Sequence, residues 1–314
     1  TNYCVSESYE PGSTFKPVTV ASALEEGVVK DGDTYVCKGF ETVADYKLKC
    51  HVFSTIGSHG SLTVEQALMN SCNPYMIHLA LEMGNSRFAY YQSLFGFGKI
   101  TGIDLPGETT GIVYGDRMTT IDAACNSFGQ TINVNMMQMM AAYCSIINGG
   151  MLYQPHIVKR IESANGEVVK EYKANLVRQT ITASTSKLLR RYLKNTVEEG
   201  TAKKAGVTGY SVAGKTGTAQ KGDRKDNKWI ISFIGHAPAE NPKFAIYVVI
   251  DEPYGTTGTS GSSADVLTLT HNILEKLLPY MNVYKDASDE YEDTSSSPDE
   301  LTVDGIPAGT ASSN

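Results

Sequence analysis

Hydrophobic residues along this 314-residue chain change period in a way that separates helical from extended stretches. Behind Pro17, the residues Val18, Val20, Ala21, Ala23 and Leu24 keep helical spacing until Glu25-Glu26-Gly27, which predicts a helix leaving Pro11-Gly12-Ser13 with Ser13 at its N-terminus. Residues 62–71 and 75–83 predict two further helices, broken at Cys72-Asn73-Pro74 because a residue before proline is pushed out of the helical region. The break is expected to expose Ser71 and Asn73. A Met- and Ala-rich stretch from Thr119 to Asn148 predicts one buried helix ended by Gly149-Gly150, and Ser184 to Glu199 predicts an amphipathic helix with Leu188, Leu189, Tyr192 and Leu193 on one side.

The pattern then turns to strands. Ser211–Gln220, Trp229–His236 and Phe244–Asp251 are rich in β-branched and aromatic residues and are separated by the turn-forming runs 221–227 and 238–242, so they should pair antiparallel. After the Gly/Thr/Ser run 255–263, Ala264–Met281 carries Val266, Leu267, Leu269, Ile273, Leu274, Leu277 and Leu278 and predicts a helix covering one face of the sheet. The expected class is α+β: an antiparallel sheet flanked by helices, with an inserted helical lobe.

Composition narrows the classes of function. The longest apolar run, Phe244–Ile250, has seven residues, against about twenty for a membrane-spanning helix. Eight of the 34 acidic residues and none of the 27 basic ones lie in 286–314, so the remainder carries 27 basic against 26 acidic residues and no basic stripe for nucleic acid. Residues 1–285 are therefore expected to form the folded domain and 286–314 an acidic, Ser-rich linker or disordered tail.

Six cysteines are too few for a disulfide scaffold. Cys37 and Cys50 flank a Gly- and Asp-containing turn and are either paired across a hairpin, worth about 3 kcal/mol by the loop-entropy estimate, or two buried thiols. Their spacing is too wide for a common zinc motif, and His51 has no second histidine three to five residues on, so no metal site is expected. No cofactor is expected either.

Three short motifs carry chemistry. Ser13-Thr14-Phe15-Lys16 sets a hydroxyl and an amine three residues apart on one helix face, a nucleophile and base pair provided that burial or a second cation lowers the Lys16 pKa by about three units. Ser71-Cys72-Asn73 offers a proton-relaying hydroxyl and a carboxamide, with Cys72 turned into the core. Lys215-Thr216-Gly217-Thr218 lies on a predicted strand, where the glycine admits a close neighbour such as an extended peptide, and Lys215 with Thr216 suits a carboxylate. Lys215 and Lys16 are expected to meet in the fold and to repel each other.

In this order, SxxK, SxN and KTG are the signature of penicillin-binding proteins and serine β-lactamases. Together with YEPGSTFKP, NSCNPYMIHLA, LFGFGKITGIDLPGE, SFGQTINVNMMQMMAAYCSIINGG and VAGKTGTAQ, they make the chain resemble the transpeptidase domain of a class B penicillin-binding protein of the division, elongation or sporulation type. The resemblance implies a peptidoglycan D,D-transpeptidase that forms an acyl-enzyme on Ser13 with a D-Ala-D-Ala stem peptide, passes the acyl group to an acceptor amine, and is acylated by β-lactams. It further implies Lys16 as base, Ser71 as relay, Asn73 on the substrate amide, Lys215, Thr216, Gly217 and Thr218 on the carboxylate end, and the N–H groups of Ser13 and Thr218 as oxyanion hole. A membrane glycosyltransferase partner and a place on the extracytoplasmic face of the membrane follow from the same resemblance.

Members of the family begin this domain before the nucleophile, behind an anchor and a stalk, so an N-terminally truncated domain is expected; TINVNMMQ also departs from the Thr-Pro pair more usual after Gly129-Gln130. Two competing readings are a β-lactam sensor or scaffold without turnover, and a phosphate-binding loop at Gly209–Thr216, matching GxxxxGKT. The latter requires a helix to open directly after Thr216.

Overall fold

The computed structural model describes residues 2–222, 228–253 and 263–287. In chain order its regular elements begin with α1 (Tyr3–Ser6) and α2 (Lys16–Glu25), then β1 (Thr34–Cys37), β2 (Phe40–Val43), β3 (Tyr46–Lys49) and β4 (Gly60–Thr63). A helical lobe follows with α3 (Val64–Met69), α4 (Asn73–Met83), α5 (Asn85–Leu94), α6 (Thr120–Asn126) and α7 (Met136–Ile147). Next come β5 (Met151–Gln154), β6 (Arg160–Glu162), β7 (Val168–Glu171), β8 (Asn175–Gln179), α8 (Ala183–Glu198), β9 (Ala213–Lys221), β10 (Lys228–Ala237), β11 (Phe244–Asp251) and α9 (Ala264–Tyr280).

The sheet at the centre has the order β11-β10-β9, antiparallel throughout, with Ile231 opposite Thr218 on one side and Ile250 on the other. Being central, β10 is covered on both faces and reads as a nearly continuous apolar run. One face packs Ile231 and Phe233 against Val266, Leu267, Leu274 and Leu278 of α9. Ala213 and Ile234 join the other core, with Phe15 and Val18 at the start of α2, Met139 and Ala142 of α7, and Leu189 and Tyr192 of α8. This is the expected α+β arrangement, and it puts the first turn of α2 against β9.

Several boundaries differ from the sequence reading. The stretch 119–148 is two helices, because Gly129 turns the chain at φ +80° and residues 132–134 run extended, bridging Tyr9 and Ile112, before Asn135 caps α7 in a reciprocal box with Gln138. The helix expected from residue 62 starts at Val64, since Thr63 caps it and 60–63 pair with β1. Asn73 is the first residue of α4, not a break residue; the chain breaks at Ser71, φ +54°, and at the extended Cys72. Asp286, assigned to the tail from composition, accepts hydrogen bonds from the backbone N–H and hydroxyl of Ser211, and its own N–H reaches Gly209 O at 3.0 Å. Residues 288–314, the turn residues 223–227 and the run 254–262 lie outside the described residues. Among the described residues no helix is long and apolar enough to cross a membrane.

Candidate active site

Residues Gly12–Phe15 form a 3₁₀ turn that runs straight into α2, so Ser13 and Lys16 share one turn as their spacing predicts. Two glycines permit the approach of this turn to its neighbours. Gly12, φ +56°, lies so close to β9 that an added Cβ would stand 2.7 Å from Thr218 O. Gly129, φ +80°, accepts a bond from Gly12 N at 2.9 Å, and a Cβ there would run into the Gly12 carbonyl. Gly129→Ala is expected to lower the melting temperature by several degrees, from left-handed strain of about 1–2 kcal/mol plus the clash, and to slow penicillin acylation with it. A thermal melt unchanged from the parent would remove this contact from the account.

The helix break delivers the second motif. With Ser71 in the left-handed region and Cys72 capping α4, Ser71 and Asn73 both face Lys16. Lys16 Nζ donates to Ser71 O at 2.6 Å, Ser71 Oγ at 2.9 Å and Asn73 Oδ1 at 2.7 Å, and Ser71 Oγ donates to Ser13 Oγ at 3.0 Å. Three acceptors match the three donors of an ammonium, yet Lys16 is wholly buried. Burial lowers its pKa to about 8, against an opposing pull from Cys50 and Cys72. Hydroxyls rotate, so once Lys16 is neutral the same contacts can run in reverse, Ser13 to Ser71 to Lys16.

The third motif lies in the middle of β9, beside the Ser13 turn. Lys215 is wholly buried, and its Nζ donates to Thr216 O at 3.2 Å and Thr216 Oγ1 at 3.4 Å. Burial first, and then the Lys16 charge, push its pKa well below the usual lysine range. The two lysines thus do meet, and their repulsion adds to the burial that depresses Lys215. A Cβ at Gly217 would stand 2.5 Å from Ser232 Oγ and 2.9 Å from Pro11 O, so this glycine also admits the protein's own nucleophile turn. Ser13, Asn73 and Thr218 remain partly open to solvent, whereas Lys16, Ser71 and Lys215 are closed in.

Because Lys215 and Thr216 sit inside a nine-residue strand, the phosphate-loop reading fails: no helix opens there. Cys37 and Cys50 are free thiols, so the candidate disulfide is absent. The spacing argument against metal ligands also fails, because tertiary structure gathers Cys37, Cys50, His59 and Cys72 with their ligand atoms within 4.8 Å of one another.

Sequence reasoning missed Thr201, just past α8, whose N–H and Oγ1 both reach Met69 O at 3.2 Å while Oγ1 lies 3.4 Å from Thr216 Oγ1. It ties the Ser71 loop to β9. It also missed Lys49, whose carbonyl accepts from Asn73 Nδ2 at 3.4 Å. Neither carries a local motif. A cavity of about 460 Å³ between Tyr3, Tyr9, Thr131 and Asp251 holds none of the three motifs.

A lysine, two serines and an asparagine are thus joined in one hydrogen-bonded group against the KTG strand. The penicillin-binding protein transpeptidase domain matches residues 1–275. The chain belongs to that family. It is 41% identical over 288 residues to stage V sporulation protein D of Bacillus subtilis, covering 90% of this chain and 44% of that protein. It is 32% identical over 292 residues to the peptidoglycan D,D-transpeptidase FtsI of Escherichia coli, covering 91% and 46%. The crystal structure of penicillin-binding protein 3 from Mycobacterium tuberculosis complexed with ampicillin superposes with a TM-score of 0.82 at 27% identity, covering 92% of this chain and 66% of that one. The chain therefore spans under half the length of these two curated relatives, and what it shares with them is the transpeptidase domain of the family.

Proposed function

We propose that this transpeptidase domain is a peptidoglycan D,D-transpeptidase that works through an acyl-enzyme on Ser13. The observation that carries the reading is the path from Ser13 Oγ through Ser71 Oγ to Lys16 Nζ, with steps of 3.0 and 2.9 Å. Ser13 Oγ attacks the carbonyl carbon of the penultimate D-Ala of a stem peptide, and its proton passes through Ser71 to Lys16. The oxyanion faces the N–H groups of Ser13 and Thr218. The C–N bond then breaks, and the terminal D-Ala leaves as an amine with the proton returned from Lys16. A neighbouring stem's amine attacks the ester, loses a proton along the same path, and Ser13 regains its hydroxyl.

The other groups serve binding. Asn73 holds the substrate amide, and Lys215 with Thr216 and Thr218 receives the carboxylate end, Gly217 keeping that strand close to the nucleophile. An incoming carboxylate favours the charged form of Lys215 and offsets the depression caused by burial. β-Lactams acylate Ser13 because their strained amide imitates the same substrate. Localisation on the extracytoplasmic face of the membrane and partnership with a membrane glycosyltransferase are proposed on the family likeness.

Turnover separates this reading from a sensor or scaffold. With a stem peptide ending in D-Ala-D-Ala and an amine acceptor, the chain should release D-Ala and form the cross-linked product, both blocked by prior penicillin treatment. Stoichiometric penicillin adduct without any D-Ala release or product would favour the sensor.

A further inference from the structure

We propose that Cys37, Cys50, His59 and Cys72 form a closed zinc site that fixes the Ser71–Asn73 loop. Four ligand atoms, three sulfurs and one imidazole nitrogen, lie within 4.8 Å of one another, with all three cysteines buried. His59 Nδ1 is 3.5 Å from Cys50 Sγ and 3.8 Å from Cys37 Sγ. A tetrahedral zinc with bonds of about 2.3 Å to sulfur and about 2.05 Å to nitrogen needs sulfur–nitrogen edges of about 3.6 Å. The histidine is therefore already at ligand spacing from two of the thiols.

The local folding explains how residues so far apart in sequence converge. β1 and β4 pair with Cys37 opposite Gly60, which brings the adjoining His59 beside Cys37. The β2–β3 hairpin pairs Phe40 with Lys49, so Cys50 returns next to Gly39, and Cys50 N donates to Gly39 O at 2.8 Å. Gly39 N in turn donates to Cys37 Sγ at 3.4 Å, the type of backbone N–H···S bond that supports a thiolate ligand. Gly39 is left-handed, φ +86°, and a Cβ there would run into Gly57 O, so this turn is built around a glycine. Cys72 closes the group from the active-site side. Three soft thiolates and one imidazole in a closed shell suit a structural zinc ion, with no open position for chemistry.

His51 is the neighbour to set aside. Its ring nitrogen lies 3.8 Å from Cys50 Sγ, but the residue is exposed and stacks obliquely beside His59 at 5.3 Å between centroids. It supports the ligands from outside.

Cys72 is the consequential ligand, because its two chain neighbours, Ser71 and Asn73, are the groups that Lys16 contacts. Anchoring it holds the left-handed Ser71 in place. The metal site itself does not depend on the acyl-transfer reading; its effect on acylation does.

The test uses the full 314-residue chain, purified under reducing conditions. Elemental analysis should find one zinc per chain, and Co²⁺ added after chelation should give the intense visible absorption of a tetrahedral thiolate site. Cys37→Ser and Cys50→Ser should lose the metal, while His51→Ala keeps it. Chelation should lower the melting temperature and slow penicillin acylation about tenfold or more, as expected when a catalytic group shifts by an ångström, and added Zn²⁺ should restore both. If the serine variants fail to fold, the reversible melting shift of the parent chain with equimolar Zn²⁺ decides. A parent chain that takes up no more zinc than Cys37→Ser/Cys50→Ser, shows no such shift, or holds a Cys50–Cys72 disulfide under reducing conditions overturns the proposal. Stoichiometric zinc in a chain that penicillin never labels would uphold the metal site and overturn the acyl-transfer reading alone.

Discussion

Ser13→Ala is expected to abolish covalent labelling by penicillin, leaving the fold and its melting temperature nearly unchanged. Ser71 Oγ, only 3.0 Å away, is the competing hydroxyl and the one that Lys16 contacts directly. Exposure decides it. Ser71 is 8% exposed and held at φ +54°, with its hydroxyl between Lys16 and Ser13, whereas Ser13 is half-open to solvent and lies on the turn packed against the Thr218 end of the KTG segment. A substrate reaching along β9 meets Ser13 first. Intact-mass and peptide mass spectrometry give the answer: a penicillin adduct on the peptide containing Ser13 in the parent and none in the variant. An adduct that persists in Ser13→Ala at a comparable rate, or maps to Ser71, would refute the assignment.

Lys16→Ala should slow acylation by about 10²- to 10⁴-fold, the usual scale for a lost general base. Ser71→Ala should cost a similar factor, since the side-chain path from Lys16 Nζ to Ser13 Oγ runs through Ser71 Oγ. The pH profile adds an independent reading. With the Lys16 pKa lowered to about 8, the neutral amine that can accept a proton is the minor form at pH 7 and the major form at pH 9. Acylation of the parent should therefore rise about tenfold across that interval and level off above it. In Lys16→Ala the residual rate should lack this rise. Equal rates in parent and Lys16→Ala, or a flat parent profile, would remove Lys16 from the proton path.

Much of this was legible in the chain because it depends on short-range geometry. Three-residue spacing on a helical turn puts Ser13 and Lys16 on one side whatever surrounds them. The runs that became β9, β10 and β11 carry enough β-branched and aromatic residues, between clear turns, for type and pairing to follow. Boundaries were harder. Asn135-x-x-Gln138 is a capping signature that argued for a new helix within 119–148, yet the continuous Met and Ala pattern concealed it. Asn73 was displaced by a rule about residues before proline, although Pro74 fits the first turn of a helix and the break falls one residue earlier.

Sequence by itself determined the family, the order of the three motifs and the residues proposed for acyl transfer, because motif spacing and hydrophobic period are properties of the local chain. Tertiary structure alone decided that Lys16 reaches Ser13 Oγ through Ser71, that burial lowers the Lys16 pKa, and that Gly217 accommodates Pro11. It alone brought Cys37, Cys50, His59 and Cys72 together, since no local periodicity records a site assembled from two strand pairings and a helix cap. Desolvation and close approach depend on which distant segments share a core, and residues 199 positions apart, as Lys16 and Lys215 are, meet only once the chain has closed around them.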